Sequence, residues 1–353
     1  MRKLASIQTV NAVEPIPGAD AIERIRVLGW WVVAKKGEHR PGERIVYCEI
    51  DSLLPERPEF EFLRASCFKP AQTDVDGAEA LPAGFRIRTV KLRGQVSQGI
   101  CFPLSILPPG APTDEGADVT DALGVLKWEP PAPVGMGGRV KGAFPGFLPK
   151  TDEVRVQLLE KALERHRGKT FYVTEKLDGT SLTAFVRQGE FGLCSRNLWL
   201  DETDETNLLA RVARTLRLEE KLRDARARLD RDVALQAEVI GPGVQKNKYA
   251  LPGVAIRVFN VLDVDAYRLL DHGDGLKLLE AVGLEPVPQL GTLVLDHDVD
   301  RLVAFSEGPS ALNPKAQREG VVLRPLVEEH DEDVGGRLSF KVVNPKFLLK
   351  YDE

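Results

Sequence analysis

Apolar positions follow two different rhythms along the chain. In the first hundred or so residues they come as short runs bounded by Gly, Pro and charged side chains, as in IRVLGWWVVAKKGE, ERIVYCEID and FRIRTVKLRG. Runs rich in Val, Ile, Tyr, Phe and Trp with turn formers at their ends predict strands. Several such strands in so short a span predict a small barrel or sandwich, with the oligonucleotide-binding (OB) barrel as one candidate. In FRIRTVKLRG, Arg86 and Arg88 share one parity while Lys91 and Arg93 share the other. A regular strand would separate the pairs; a bulge near Thr89 would gather all four on one face. A basic face is the expectation, against an edge strand with solvated charges on both sides.

Beyond residue 150 the rhythm is mixed. DEVRVQLLEKALERHRG predicts a helix capped at Thr151 or Asp152, with Val154, Leu158, Leu159 and Ala162 on one face and Gly168 as its stop. Strands are expected near 170–175, 182–187 and 191–195. A charged helix with the stripe Leu208, Leu209, Val212 and Leu216 follows. Then come the strand patterns VALQAEVI and AIRVFNVLDV, helices at DGLKLLEAVG and DVDRLVAFSE, and the strands GVVLRPL and LSFKVV. Long strands with helices outside them predict an α+β domain with antiparallel sheets. Between the two regimes, residues 129–149 hold five prolines and five glycines and read as a linker. The expected division is 1–110 for the β-rich domain, 111–149 for the linker and 150–353 for the α+β domain.

Composition narrows the function. A chain of 353 residues, 43% hydrophobic and 29% charged, suits two soluble domains. The net charge of −5 argues against nucleic-acid binding driven by global charge. Residues 1–110 carry 15 basic and 13 acidic side chains, net +2, and the remainder 33 and 40, net −7, so a local basic groove belongs to the first part. No stretch has the length of a membrane span and no signal peptide opens the chain, so a cytoplasmic protein is expected, with no membrane and no obligatory protein partner. Cys48, Cys67, Cys101 and Cys194 form no C-x-x-C pair and read as reduced thiols, and the five histidines have no metal-ligand spacing. Neither a G-x-x-x-x-G-K-[ST] loop nor a G-x-G-x-x-G fingerprint is present.

The chemistry concentrates at FYVTEKLDGTS. An apolar strand ends in Glu175, Lys176, Leu177, Asp178 and Gly179. Desolvation at a strand end favours the neutral, nucleophilic amine of Lys176, whereas Asp178 and Glu175 oppose it unless a metal ion takes up their charge. Gly179 lets a ligand approach the backbone. A strand-end lysine paired with Asp178 is the bland alternative for this motif by itself.

Five further motifs follow in order: SRN at Ser195, Arg196 and Asn197; QAEVIGPGVQKNKY with Glu238, Gly241, Gly243 and Gln245; FNVLDV with Phe259; REGVVLRP with Glu319 and Gly320; and SFKVVNPKFLLK with Lys341. This ordered set resembles the covalent nucleotidyltransferase superfamily of polynucleotide ligases and RNA capping enzymes. The resemblance implies ATP as AMP donor and Mg2+ or Mn2+ as metal. It implies that Lys176 attacks the α-phosphorus and becomes lysyl-AMP, with Lys341 against that phosphate. Asp178, Glu238 and Glu319 would hold the metal, in part through water. Phe259 would stack on adenine, with Glu175, Asn197, Glu238 and Glu319 also at the nucleotide, and Arg196 would meet the ribose or the acceptor 5′-phosphate. One departure stands out: where many members have a second lysine in the last motif, this chain has Val343, and Lys346 or Lys350 is the nearest substitute.

Domain order sharpens the resemblance. DNA ligases using ATP and capping enzymes carry an OB barrel after the last motif, whereas 12 residues follow Lys341 here and the β-rich module comes first. NAD-dependent DNA ligases share K-L-D-G but carry long C-terminal additions. VEPIPGADAIERIRVLGWWVVAKKGEHRPGERIVYCEIDSLLP, RIRTVKLRGQVSQGI and LGVLKWEPP look like the front module of bacterial RNA ligases of the Deinococcus nick-sealing type. That implies joining of 3′-OH to 5′-phosphate ends, at nicks in RNA or RNA/DNA duplexes with RNA on the 3′-OH side, the barrel tracking the backbone through Lys35, Lys36, Lys91 and Arg93. The competing readings are a nucleic-acid-binding protein with an inactive second domain, and a GTP-dependent capping enzyme.

Overall fold

Strand pairing organises the chain throughout. The computed structural model describes residues 3–73, 79–129 and 138–351. Two compact units emerge, one of the residues up to 129 with those from Leu348 onward, the other of residues 138–347. Residues 130–137, the centre of the Pro/Gly-rich stretch, lie outside the described residues.

The first unit is built on an antiparallel five-stranded sheet in the order Ile100–Pro103, Arg44–Cys48, Ala5–Pro15, Ile22–Val27, Trp30–Lys35. Alternation within these strands buries Ile7, Val46 and Phe102 in one cluster and Val10, Ile25, Val27, Trp30, Ile45 and Tyr47 in another, so the sheet curls around two cores. Ala117 and Val119 bond to Ile7 and Ala5, and Leu126–Lys127 pairs with Ser52–Pro55. FRIRTVKLRG is interrupted after Gly84–Arg86 and resumes as Thr89–Leu92, which forms a hairpin with Gln95–Gln98. Arg93 (φ 48°) and Gly94 (φ 86°) make its two-residue turn, where positive φ at both positions suits glycine at the second. The expected four-residue basic face does not form. Arg86 is 2% exposed, with its guanidinium 3.6 Å from the Trp128 ring centroid and 3.8 Å from Asp51. Burial of the aliphatic stem and stacking on indole outweigh hydration of this one arginine. Arg88, Lys91 and Arg93 remain exposed, as do Lys35 and Lys36.

The second unit sets two sheets face to face. One has seven antiparallel strands in the order Val140–Ala143, Leu198–Leu200, Glu190–Cys194, Thr180–Arg187, Val233–Ile240, Ala255–Asp263, Arg268–Leu269. The other has five, in the order Val154–Arg155, Phe340–Val343, Gly320–Pro325, Thr170–Lys176, Gln289–Val294. Leu182, Ala184, Val186, Leu235 and Ala237 point from the first sheet to the helices Leu208–Thr215, Leu218–Leu229 and His272–Ala281. Phe171, Val173, Val321, Leu323, Phe340 and Val342 point from the second to the helices Glu160–Arg165 and Val299–Ser306. Because side chains alternate, the polar parities of both sheets are left to face each other across a crevice.

Two expectations are corrected here. The helix over 152–168 is only its second half. Val154–Arg155 instead pairs in parallel with Phe340–Lys341, and a single 3₁₀ turn, Val156–Leu158, leads into Glu160–Arg165. The alternation V-R-V-Q carries two β-branched residues that suit an open sheet edge better than a helix start. The charged helix is two helices, broken at Arg217 (φ 53°), with Asn207 capping the first through bonds from the Leu209 and Ala210 amides. All four cysteines are free, and Cys48 and Cys194 are buried. No helix among the described residues is long and apolar enough to cross a membrane.

Candidate active site

The Lys176 strand ends at the mouth of the crevice. Its register places Lys176 opposite Gly320, which in turn lies opposite Val343; one step inward Thr174, Val322 and Lys341 form the parallel row. Lys176 and Lys341 therefore share a face. Glu319 lies just before the Gly320 strand and reaches back, so that its Oε1 accepts a hydrogen bond from Lys176 Nζ at 2.5 Å. The Glu319 main chain is fixed on both sides. Its carbonyl accepts from the Asn344 amide at 2.8 Å, and Asn344 Nδ2 donates to the Arg318 carbonyl at 2.9 Å. Arg318 in turn donates to the carbonyls of Phe305, Ser306 and Glu307 at the end of the helix Val299–Ser306.

The opposite wall brings Glu238, in register with Ser181 and Arg257. Gly179 makes this approach possible: a Cβ there would strike the Val239 carbonyl oxygen and come within 2.9 Å of Glu238 Cγ and Ile240 Cγ2. That is why an apolar strand ends in K-L-D-G: the glycine lets the Lys176 turn lie flat on the neighbouring sheet and delivers Lys176 to Glu238. Gly320 serves the same purpose on its own sheet, its missing Cβ leaving room for the Val342 carbonyl and for Val343 Cα at 3.0 Å. Asp178 faces Lys248, with which it forms an ion pair, and its amide donates to Tyr249 Oη at 2.7 Å.

Charges in this cluster perturb one another. Burial pulls the Lys176 amine down, but Glu319, Glu238 and Asp178 more than offset it and leave the amine raised. Burial pushes Glu238 up to about 8, with Lys176 opposing and Glu319 and Asp178 adding to the rise. Burial likewise raises Glu319 against the pull of Lys176. Strongly shifted groups converging on one crevice mark a functional site more than a structural ion pair.

Phe259 is the extra residue of a bulge, between Val258 opposite Ala237 and Asn260 opposite Gln236. It packs against the cluster of Leu177, Ile240, Tyr249 and Val287, and borders a cavity with Tyr172, Thr174 and Gln289. Behind it the sheets are tied by Arg324, 2% exposed, which donates to Ser339 Oγ at 3.0 Å, the Phe259 carbonyl at 3.2 Å and Glu153 at 2.8 Å. Arg337 donates to Asn260 Oδ1 at 2.8 Å.

Other residues singled out from the sequence lie apart from Lys176. Glu175 is on the core face of its strand, 1% exposed; its Oε2 accepts from the Ala311 amide at 2.7 Å. Arg196 and Asn197 are on the exposed loop after Glu190–Cys194, Arg196 paired with Asp152 at 2.5 Å, and Lys150 reaching the Arg196 carbonyl at 3.1 Å. Val343 is 4% exposed, Lys346 turns to Glu307 at 2.6 Å, and Lys350 lies over Tyr351. Lys248 and Tyr249 end the motif QAEVIGPGVQKNKY but were assigned no role from the sequence, since a lysine and a tyrosine in an irregular loop 70 and 71 residues from Asp178 carry no periodicity that ties them to it.

Comparison with known proteins agrees with this geometry. An OB-fold domain model matches residues 4–104 and an RNA ligase model residues 169–343. No curated protein matches. Among solved structures, a substituted variant of Naegleria gruberi RNA ligase with ATP and Mn is 36% identical with a TM-score of 0.88, all of both chains being covered. The same ligase with pyrophosphate is 37% identical with a TM-score of 0.87, covering 100% of this chain and 99% of that one. Another variant with AMP and Mn is 37% identical with a TM-score of 0.87 and 99% coverage of each chain. With an N-terminal OB fold, two largely antiparallel sheets that bring Lys176, Glu238, Glu319 and Lys341 to one crevice, and 36–37% identity to an RNA ligase over essentially its whole length, this chain belongs to the RNA ligase family.

Proposed function

We propose that the chain is an ATP-dependent RNA ligase that seals 3′-OH and 5′-phosphate ends through a lysyl-AMP on Lys176, at nicks in duplexes with RNA on the 3′-OH side. The observation that carries the reading is the Lys176–Glu319 contact of 2.5 Å inside a cluster that also holds Glu238 and Asp178. The ATP and Mn seen with the Naegleria ligase support the choice of nucleotide and metal.

In the first step the Lys176 amine forms a bond to the α-phosphorus and the bond to the pyrophosphate oxygen breaks. The attacking amine must shed a proton, and Glu319 Oε1 is the acceptor in contact with it. Lys341, one row inward on the same face, would offset the negative charge that grows on the α-phosphate. Phe259 supplies an apolar face for adenine. AMP then passes to the oxygen of an RNA 5′-phosphate. The 3′-OH attacks that activated phosphate, a phosphodiester forms, and AMP leaves.

The acidic residues suit a hard divalent cation. Glu319 Oε2 is buried without a partner among the described residues, and Glu238 is raised to about 8, so the cluster has acceptor capacity that the described cations do not meet. Among the described residues no three His, Cys, Asp or Glu side chains converge to grip an ion directly, so Asp178, Glu238 and Glu319 would hold Mg2+ or Mn2+ through water. When bound, the ion supplies positive charge that favours the neutral amine and polarises the phosphate. The exposed Lys35, Lys36, Lys91 and Arg93 of the OB fold offer contacts to a nucleic-acid backbone.

The test combines ATP labelled in the α-phosphate, Mg2+ or Mn2+, and nicked duplexes with RNA or DNA on each side. Label on the protein and sealing that requires RNA on the 3′-OH side are expected. Absence of label, or label taken from GTP in place of ATP, would overturn the proposal; sealing that ignores the 3′-OH sugar would remove its nick specificity.

A further inference from the structure

Lys248 sits in residues 245–250, between the strands Val233–Ile240 and Ala255–Asp263. Gln245, Lys246, Asn247 and Ala250 in this loop all have positive φ, from 43° to 58°. For residues other than glycine such a run is strained, and it persists only where the surroundings impose it. Those surroundings are present. Asn247 bonds in both directions with the Leu251 backbone at 2.9 and 3.0 Å, Asn313 Nδ2 holds the Lys248 carbonyl at 3.0 Å, and Tyr249 Oη accepts from the Asp178 amide at 2.7 Å. The loop is thus bent so as to press Lys248 and Tyr249 onto the turn that follows Lys176.

There the Lys248 ammonium pairs with Asp178 Oδ2, the two side chains 13% and 19% exposed, with the Phe347 ring centroid 5.0 Å from Nζ. Asp178 stands among the carboxylates suited to a divalent cation, and Lys248 now holds it. Position 343, in line with Gly320 and Lys176, is an apolar side chain. A triphosphate entering the crevice therefore meets Lys176 and Lys341 from one sheet, and Lys248 is placed to add charge from the loop of the other.

We infer that Lys248 is the second phosphate-binding cation of this site, held on Asp178 while the site is empty and released to the nucleotide when a divalent cation claims Asp178. Its four-carbon stem gives the ammonium the reach for such a swing without moving the backbone. Two linked consequences follow: Lys248 opposes metal binding in the absence of nucleotide, and it favours ATP when metal is present.

The inference rests on the adenylylation of Lys176 proposed above, and the experiment separates the two. Mn2+ alone is titrated into wild-type protein and Lys248→Met with water-proton relaxation as the readout. The ATP dependence of label transfer to protein is then measured at saturating Mn2+. Lys248→Met is expected to bind Mn2+ about tenfold more tightly and to require about tenfold more ATP, the order expected for one charged hydrogen bond. Lys248→Arg should match wild type in both. Lys248→Gln repeats the test if the methionine variant melts below the assay temperature. Mn2+ binding that is unchanged or weaker in the neutral variants, or an unaltered ATP requirement, overturns the inference. Wild-type protein that takes no label would instead overturn the proposed function.

Discussion

Gly179→Ala adds one carbon where the structure leaves no room. The new Cβ meets the Val239 carbonyl oxygen, Glu238 Cγ at 2.9 Å and Ile240 Cγ2 at 2.9 Å. Gly179 is not among the residues with positive φ, so the penalty is steric and not one of backbone conformation. The Val239 oxygen belongs to a central strand paired on both sides and has little freedom to retreat. Restoring ordinary contact requires the Lys176 turn to lift by about 1 Å. A shift of that size at a reacting group costs about a hundredfold in rate, whereas overpacking itself costs about 1–3 kcal/mol. Gly146→Ala, where nothing lies within 4 Å, is the matched control. The assay is single-turnover transfer of AMP from labelled ATP, with thermal melting in parallel. Gly179→Ala is expected to stay folded, with a modestly lower Tm, and to label about a hundredfold more slowly. A rate equal to that of Gly146→Ala would refute the claim that this glycine sets the approach of Lys176 to Glu238.

Other perturbations probe separate parts of the account. Glu319→Gln keeps the shape of the side chain but removes the proton acceptor at Lys176 Nζ, and it should slow AMP transfer at least about a hundredfold while leaving Tm nearly unchanged. Arg324→Met strands the Glu153 carboxylate and removes the bond to the Phe259 carbonyl that crosses to the other sheet; a loss of about 3 kcal/mol and a Tm lower by roughly 6–12 °C are expected, and a shift under about 2 °C would contradict a bridging role. Asp331 is held down to about 2: burial opposes its ionisation, but bonds from His166, the Val334 amide and Arg165 outweigh it. Because the folded value is depressed, its stabilisation is complete above about pH 4 and is lost as the pH falls toward 2, a contribution of roughly 2 kcal/mol. Denaturation curves between pH 5 and 2 should show this slope in wild type and a shallower one in Asp331→Asn.

The parts of the structure legible in the sequence are those governed by local periodicity or by residues adjacent in one motif. VALQAEVI is the strand Val233–Ile240 because alternation buries Val233, Leu235 and Ala237 on one face, and the mixture of strands and helices beyond residue 150 has the expected α+β character. Short β-branched runs left the first domain as a small barrel or sandwich, and the resemblance to RNA ligases singled out the OB fold that is found. What failed depended on partners distant in sequence. Val154–Arg155 is a strand because Phe340–Lys341 presents an open edge, and Arg86 is buried because Trp128 returns to cover it. Nothing near residues 154 or 86 reveals those partners. At the site, Lys176, Glu238, Glu319 and Lys341 were legible only as an ordered set; their meeting required register across two sheets. Lys248 lies within QAEVIGPGVQKNKY, but its pairing with Asp178 was not legible because its placement comes from a strained loop whose conformation is imposed by Asn313, Tyr249 and Asp178.

The central claim is that one amine becomes covalently bound to AMP. Wild-type protein and Lys176→Met are incubated with α-labelled ATP and Mn2+, digested, and mapped by mass spectrometry. A single adenylylated peptide containing Lys176 is expected, lost when pyrophosphate is added to the intact protein before digestion, with no label on Lys176→Met. An adduct on another residue, or label retained by Lys176→Met, would contradict it.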